Sequence, residues 1–168
     1  MAKGFKEIIL RPVARSDRAI LRDMLFQTLL SEPDASDMKR EMLDEPDLAW
    51  YIEEWGRNGD FGFVATDEDE NLLGAVWARL ADEDGQGYGF YDYETPEIAI
   101  ATVPEARGLG VGTRLLETLI VTARQSYPAL SLSVAENNPA KKLYERVGFR
   151  TISTEGDHSL MVLELEGD

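Results

Sequence analysis

Three glycines stand close together between an apolar run and a helical pattern, at Gly108, Gly110 and Gly112. Glycine has no Cβ atom, so its backbone can approach a ligand closely and adopt dihedral angles that other residues avoid. Several backbone N–H groups can then point into one concavity at the positive end of a helix dipole, which suits phosphate oxygens. The spacing predicts an anion-binding turn; a tight turn that holds no ligand is the alternative interpretation.

Two familiar phosphate-binding motifs do not fit this turn. A P-loop needs a lysine and a hydroxyl residue directly after its last glycine, whereas Gly112 is followed by Thr113 and Arg114. A dinucleotide-binding fingerprint that began at Gly108 would need glycine at position 113 and an acidic residue about 20 positions later, where Pro128 stands. The turn therefore belongs to neither class.

A second pattern follows at residues 137–149 and reads Asn-Asn-Pro-Ala-Lys-Lys-Leu-Tyr-Glu-Arg-Val-Gly-Phe. It is similar to N-x-x-A-x-x-L-Y-x-x-x-G-F, and the earlier turn matches R-x-x-G-x-G through Arg107, Gly110 and Gly112. Two separated motifs in this order resemble the GNAT superfamily of acetyl-CoA-dependent N-acetyltransferases. Residues 97–150 carry the resemblance, and the earlier half of the chain agrees with it only in the order of its elements.

The resemblance implies an α+β, three-layer fold, in which we expect helices to flank a mixed, twisted central sheet of about six or seven strands. The parallel strands at residues 97–103 and 130–134 are expected to splay apart and hold acyl-CoA between them. We expect a single N-acetyltransferase domain over residues 1–168.

The resemblance also assigns the residues that bind acetyl-CoA. Backbone groups at four positions would bond to the pantetheine arm and polarise the thioester carbonyl: Ile100, Ala101, Thr102 and Val103. Amides for the pyrophosphate would come from Gly108, Leu109, Gly110, Val111, Gly112 and Thr113. Arg107 would add charge or position the turn, and Asn137 would hydrogen-bond the pantetheine arm.

Transfer to an amine needs a base that takes a proton from the ammonium form and an acid that protonates the departing thiolate. Tyr144 matches the family tyrosine and is the expected acid, because an unperturbed phenol pKa of about 10 is not far above that of a thiol. Packing beside Leu143 is its alternative role. Glu97 opens the motif strand and is the expected base, acting directly or through water, since burial would raise its pKa.

A glutamate that faces solvent at the strand edge is the alternative interpretation of Glu97. Three residues are its substitutes as base: Asp92, Glu94 and His158. Seven aromatic residues fall near the expected acceptor side: Trp50, Tyr51, Trp55, Tyr88, Phe90, Tyr91 and Tyr93. With the acidic N-terminal part of the chain they predict a pocket for a cationic amine of a small molecule or peptide.

Two functions of other classes remain open from the sequence. One is a non-catalytic acyl-CoA-binding or sensor domain, and the other is an assembly module whose helices form a homodimer. The presence of both Tyr144 and Glu97 favours an enzyme, since a binding module needs neither residue.

The elements that must position these residues follow from the spacing of apolar residues. The first half predicts a strand at 7–13, a helix that begins after Ser16 or Asp17, a helical pattern at 36–57 divided by Pro46, a hairpin of strands 61–66 and 72–81, and a loop at 82–96. The second half predicts a strand at 97–103, a helix at 112–125, a strand at 130–134, a helix between Asn138 and Gly148, and strands at 149–154 and 159–165.

Composition excludes several classes of function. The chain has 168 residues and carries 17 basic against 32 acidic residues, a net charge of −15 that disfavours nucleic acid as a partner. Residues 107–150 reverse this balance, with 7 basic against 3 acidic residues, and suit an anionic cofactor. The absence of cysteine and the presence of one histidine predict no disulfide and no metal site.

Membrane insertion is also disfavoured. The longest stretch without a charged residue, 125–135, has 11 residues, against about 18 to 20 for a membrane-spanning helix. Charged residues at Lys3, Lys6, Glu7 and Arg11 leave no secretory apolar segment. We therefore predict a cytoplasmic protein with no membrane partner.

Overall fold

The computed structural model describes residues 6–31 and 37–165. Its strands are β1 (Ile9–Pro12), β2 (Phe61–Thr66), β3 (Leu72–Arg79), β4 (Glu97–Thr102), β5 (Ala129–Ala135), β6 (Arg150–Glu155) and β7 (His158–Glu164). Its helices are α1 (Arg18–Leu30), α2 (Pro46–Ala49), α3 (Val111–Ala123) and α4 (Ala140–Val147). The strands of this described part form one sheet in the order β1-β2-β3-β4-β5-β7-β6, which confirms the predicted mixed sheet.

One junction in the sheet differs from all the others. β4 and β5 run parallel and share the single residue pair Glu97 and Ser131, whereas their outer neighbours β3 and β7 pair with them antiparallel along their full lengths. Each strand therefore keeps its outer partner while the inner pair opens. The predicted splayed parallel pair is confirmed.

Apolar side chains cover both faces of the sheet. On one face α3 buries five residues at helical spacing: Leu115, Leu116, Leu119, Ile120 and Ala123. On the other face α1 buries Leu21, Met24 and Leu25 against Val64, Ala75 and Trp77. Burial of one such side chain contributes about 1.5–3 kcal/mol, so these two layers hold the opened sheet in place.

The helical pattern at 36–57 is wrong for most of its length. Ser36 lies outside the described residues, Arg40–Asp44 is a 3-10 turn, and α2 is a single turn that begins at Pro46. Beyond α2 the carbonyls of Trp50 and Tyr51 accept hydrogen bonds from Arg79 Nη1 (2.5 Å) and Trp77 Nε1 (3.0 Å). Because side chains of β3 take these two carbonyls, the backbone there turns, and Trp50, Tyr51 and Trp55 do not lie on a helix.

None of the helices within residues 6–31 and 37–165 has the length and apolar character that crossing a bilayer requires.

Candidate active site

The separation of β4 and β5 opens a cavity of about 1420 Å³ between the two faces of the sheet. Both sequence motifs contribute to its wall. Glu97 and residues 98–102 line it from β4, residues 132–134 from β5, the glycine turn from its end, and Leu143 and Tyr144 from α4. The fold thus brings together residues that are far apart in the chain.

The backbone of β4 offers hydrogen-bonding groups to this cavity at alternate residues. The Val103 N–H donates to the Leu73 carbonyl across the β3 side (2.9 Å), which fixes the alternation of the antiparallel ladder. Ala101 therefore also faces β3, whereas the N–H and C=O groups of Ile100 and Thr102 face the opening. Of the four backbone positions predicted for pantetheine, these two have groups free to serve a ligand.

The glycine turn has the geometry of an anion-binding site. Gly108 and Gly110 have φ of 76° and 87°, in the left-handed region that favours glycine. Gly110 precedes α3, and the first backbone bond there runs from the Arg114 N–H to the Gly110 carbonyl (3.1 Å). The N–H groups of residues 111–113 come before that bond, so they are left for a ligand.

The remaining predicted cofactor residues divide into two groups. Arg107 lines the cavity and donates through Nη2 to Gln27 Oε1 on α1 (3.3 Å). Leu109 and Asn137 are exposed, and neither lines the cavity. The neighbouring Asn138 does line it, and its Oδ1 accepts the Ala140 N–H at the start of α4 (2.9 Å).

Glu97 is a buried carboxylate with two unlike oxygens. It is 5% exposed, so it does not face solvent at the strand edge. Its Oε2 accepts hydrogen bonds from the Tyr51 hydroxyl and from the Gly89 N–H (2.9 Å). Its Oε1 is buried and has no hydrogen-bond partner among the described residues. Burial raises the pKa of Glu97 to about 7, although the bonds from Tyr51 and Gly89 oppose the shift.

Tyr51 is the partner of Glu97 that sequence reasoning missed, since the sequence predicts it only as an aromatic residue of the acceptor side. Burial and the nearby Glu97 carboxylate raise the pKa of the Tyr51 phenol well above its usual value. The hydroxyl therefore keeps its proton and donates it to Glu97 in a hydrogen bond. Its oxygen accepts the Tyr88 N–H (2.9 Å), which connects it to the loop that covers Glu97.

This loop approaches Glu97 through glycines. A Cβ atom on Gly87 would overlap Glu97 Oε1, and one on Gly89 would lie 2.7 Å from the Ser133 backbone nitrogen. The Ser131 hydroxyl donates to the Gly89 carbonyl (2.6 Å) and holds the loop against β5. Sequence reasoning also missed Ser131 and Gly89, although alternating glycines at positions 85, 87 and 89 are a visible signal.

Tyr144 faces the cavity from the opposite side of the sheet to Tyr51. Its ring packs edge-on against Phe149, with centroids 6.0 Å apart, and 8% of the residue is exposed. No hydrogen bond to its hydroxyl occurs within the described parts of the chain. Burial raises the pKa of Tyr144 above its usual value, so the expectation of an unperturbed phenol is wrong. The hydroxyl is a hydrogen-bond donor that holds its proton firmly.

The three substitute bases lie in less suitable places. Asp92 and Glu94 are exposed and do not line the cavity. His158 is exposed on β7, lines the cavity, and has its Nδ1 2.9 Å from Asp157 Oδ1. Glu97 is thus the carboxylate among these candidates that is both buried and in the cavity wall.

The aromatic residues predicted for the acceptor side also differ in whether they line the cavity. Tyr51 and Tyr88 line the cavity. Trp50 and Trp55 are buried, and the Arg79 guanidinium lies 5.5 Å from the Trp55 ring centre. Tyr91 and Tyr93 are exposed, and Phe90 packs edge-on against Tyr93 at 5.1 Å. Only part of the predicted aromatic pocket is therefore at the site.

A family model described as acetyltransferase (GNAT) family matches residues 23–149. Mycothiol acetyltransferase of Propionibacterium freudenreichii subsp. shermanii is 37% identical over 95 residues, which are 55% of this chain and 28% of that protein. The chain thus spans under a third of that relative. The 5-NmdU N-acetyltransferase of Pseudomonas phage PaMx11 is 32% identical over 97 residues, which are 54% of this chain and 69% of that protein.

The fold is also that of solved acetyltransferase structures. The structure of yncA from Salmonella typhimurium, solved with its cofactor acetyl-CoA, matches with a TM-score of 0.70 at 20% identity. The match covers 97% of this chain and 96% of that one. Because the family model covers most of the chain and includes the glycine turn and Tyr144, the chain belongs to the acetyltransferase (GNAT) family.

Proposed function

We propose that the protein transfers the acetyl group of acetyl-CoA to a primary amine of a small molecule or peptide. The observation that carries the proposal is the buried Glu97 carboxylate at the point where β4 and β5 part. Its pKa of about 7 places it where a general base works at neutral pH, ionised for part of the population and basic enough to accept a proton. A module that only binds acyl-CoA has no need of such a group.

The cofactor would lie in the cavity along β4. The glycine turn follows the carboxyl end of β4 and would hold the pyrophosphate with the N–H groups of residues 111–113. Arg107 would add a positive charge beside them. Glu97 lies at the other end of the six-residue strand, roughly 17 Å away at about 3.3 Å per residue. An extended pantetheine arm would run between these ends beside the free backbone groups of Ile100 and Thr102.

Glu97 would prepare the nucleophile. It takes a proton from the ammonium group of the acceptor, directly or through one water, and leaves a neutral amine. Acetyl-CoA supplies the acetyl thioester that this amine attacks, with formation of the C–N bond. The backbone N–H groups of β4 that face the cavity would stabilise the negative charge that develops on the carbonyl oxygen.

Tyr144 would serve the leaving group. Glu97 and its partner Tyr51 belong to the α1 side of the sheet, whereas Tyr144 packs on the α3 side. The amine and the sulfur would therefore occupy opposite sides of the carbonyl carbon. As the C–S bond breaks, the Tyr144 hydroxyl would keep its proton and donate a hydrogen bond to the departing sulfur. The proton that the new amide nitrogen loses would pass through solvent to the thiolate, which leaves as free CoA thiol.

Acidic and aromatic groups near Glu97 support a cationic acceptor. Glu45, Tyr51 and Tyr88 line the cavity on this side, and the Tyr88 hydroxyl donates to Asp47 Oδ2 (3.3 Å). The carboxylates of Glu45 and Asp47 would attract a second positive charge on the acceptor, and the tyrosine rings would contact its methylene groups.

A panel of amines tests the proposal. Purified protein is incubated with acetyl-CoA and matched pairs of acceptors, each an alkyl diamine and the monoamine of equal chain length, with alcohols as controls. We expect release of free thiol, an acetylated amine by mass spectrometry, and a higher kcat/KM for the diamines that falls as salt rises. Binding of CoA by calorimetry without transfer to any amine would contradict the proposal and favour a sensor domain.

A further inference from the structure

The two oxygens of Glu97 differ in a way that the family motifs do not explain. Oε2 receives two hydrogen bonds, from Tyr51 and Gly89, and Oε1 receives none within the described structure. We infer that Tyr51, Gly89 and Ser131 form a clamp that holds Oε2 and leaves Oε1 as the oxygen that takes the acceptor's proton. This inference rests on the proposed function and adds three positioning residues to it.

The Ser131 end of the clamp lies at the junction of the two strands. Ser131 is the Cα partner of Glu97, and its N–H donates to the Pro96 carbonyl (3.0 Å). Its hydroxyl donates to the Gly89 carbonyl, and the Gly89 N–H in turn donates to Glu97 Oε2. Because Ser131 is fully buried, this connection is shielded from water, and a hydrogen bond in the low-dielectric interior is stronger than one in water.

The Tyr51 end is fixed from β3. Trp77 binds the Tyr51 carbonyl and Arg79 binds the Trp50 carbonyl, so the backbone around Tyr51 is held on both sides. The Tyr88 N–H occupies a lone pair of the Tyr51 hydroxyl oxygen. The single hydroxyl hydrogen is then directed to Glu97 Oε2.

The charged side chain beside Glu97 on β3 is paired with another residue, so the clamp residues determine how readily Glu97 gains and loses a proton. Arg79 is the Cα partner of Glu97 on β3, but its guanidinium donates to Asp60 Oδ1 (3.0 Å) and Oδ2 (2.8 Å). Both side chains of that ion pair are buried. Among residues 6–31 and 37–165, the titratable groups that act on Glu97 are Tyr51 and, through the bond to the Tyr51 hydroxyl, Tyr88. On β5 the side chain that hydrogen-bonds this loop is that of Ser131, which does not titrate.

Gly87 completes the arrangement at the other oxygen. The position that its Cβ atom would occupy overlaps Oε1, so any side chain there would displace the carboxylate. With glycine at position 87, Oε1 is not displaced and has no hydrogen-bond partner among the described residues, and Glu97 forms part of the cavity wall. The clamp therefore holds Oε2 in place and leaves Oε1 to accept the proton.

Tyr51→Phe tests the clamp, since it keeps the ring that packs edge-on against Trp50 (5.0 Å) and removes only the donor. The Tyr51 hydrogen bond favours the ionised form of Glu97, so its loss raises the pKa of Glu97 and moves the acid limb of kcat/KM to higher pH. We expect the parent-to-variant ratio of kcat/KM to be roughly tenfold larger at pH 6 than at pH 9. Protonation of the amine affects parent and variant equally and cancels in this ratio. The affinity for acetyl-CoA should not change.

Two further variants keep the result decisive. Ser131→Ala removes the hold on Gly89 and should move the acid limb in the same direction by a smaller amount. Tyr127→Phe is the matched control: its hydroxyl faces the Gly59 carbonyl at 3.5 Å, its ring stacks on Phe61, and its ratio should be constant with pH. If Tyr51→Phe does not fold, Ser131→Ala alone decides.

Glu97→Gln, measured beside these variants, tests the role of Glu97 as the base separately from the clamp. If Glu97→Gln alters the pH profile and neither Tyr51→Phe nor Ser131→Ala does, the clamp is overturned and the base assignment stands. If Glu97→Gln runs parallel to the parent at every pH, the base assignment fails and the clamp with it. A pH-dependent ratio for Tyr51→Phe that exceeds that of Tyr127→Phe supports the clamp.

Discussion

Glu97 and Ser131 are the pair of residues at which β4 and β5 last face each other, and beyond them the strands separate. The same junction therefore places the buried carboxylate and opens the cavity that this carboxylate lines. If Glu97 is the base, as we propose, it would meet the acceptor at the opposite end of β4 from the glycine turn. The sheet therefore also determines which end of the cavity holds Glu97 and which end holds the glycine turn.

Gly110→Val should abolish the binding of CoA. Gly110 has φ of 87°, which a β-branched residue rarely adopts, and its replacement would misdirect the N–H groups at the start of α3. CoA should raise the Tm of the parent, because a ligand that binds only the folded state stabilises it, and leave the Tm of Gly110→Val unchanged.

Gly156→Val is the control for backbone strain at that position. Gly156 also has a positive φ, 63°, and open space within 4 Å of where a Cβ atom would stand, but it lies in the turn between β6 and β7. Both variants should lose intrinsic stability, and Gly156→Val should keep the Tm shift with CoA. An equal CoA shift in Gly110→Val and the parent would refute the assignment of the turn.

Tyr144→Phe should slow the release of CoA thiol. The substitution keeps the contact with Phe149 and removes the hydroxyl that faces the cavity. In single-turnover experiments the rate of acetyl transfer should fall by about 10²-fold or more, with little change in acetyl-CoA affinity. Tyr91→Phe, at an exposed position outside the cavity, is the matched control. An unchanged single-turnover rate would mean that Tyr144 only packs against Phe149.

Burial of Glu97 should cost stability above neutral pH. Its pKa is about 7 in the folded protein and about 4.3 in an unfolded chain. The unfolded state therefore releases its proton first, and stability falls as the pH rises from about 4 to 7 and then stays level. Glu97→Gln removes this loss, so its Tm relative to the parent should be higher at pH 8 than at pH 4. A difference that is the same at both values would show that Glu97 does not titrate in this range.

The motifs could be predicted from the sequence because their geometry is local. Gly110 precedes its helix directly, and Tyr144 lies on a short helix that ends at Gly148, so neighbouring residues determine both conformations. The strand at 97–103 is recognisable as a short buried strand for the same reason. These parts need no knowledge of distant contacts.

The surroundings of Glu97 depend on contacts that neighbouring residues do not encode. Tyr51 is 46 positions from Glu97, and its backbone is held by side chains of β3, which override the helical pattern of its own segment. The spacing of the motif also does not resolve that Asn138, and not Asn137, lines the cavity, because this depends on the conformation of the turn before α4. The alternation at Ile100 and Thr102 follows only once the register of β3 and β4 is known.

The pH dependence of acetyl transfer by Glu97→Gln tests the base most directly. Transfer to a primary amine is measured as kcat/KM from pH 6 to 10 for Glu97→Gln and the parent, with acetyl-CoA saturating. The loss in Glu97→Gln should be greatest near pH 7 and should shrink at high pH, where more of the amine is already neutral. A profile for Glu97→Gln that stays parallel to that of the parent at every pH would contradict a role for Glu97 as the base.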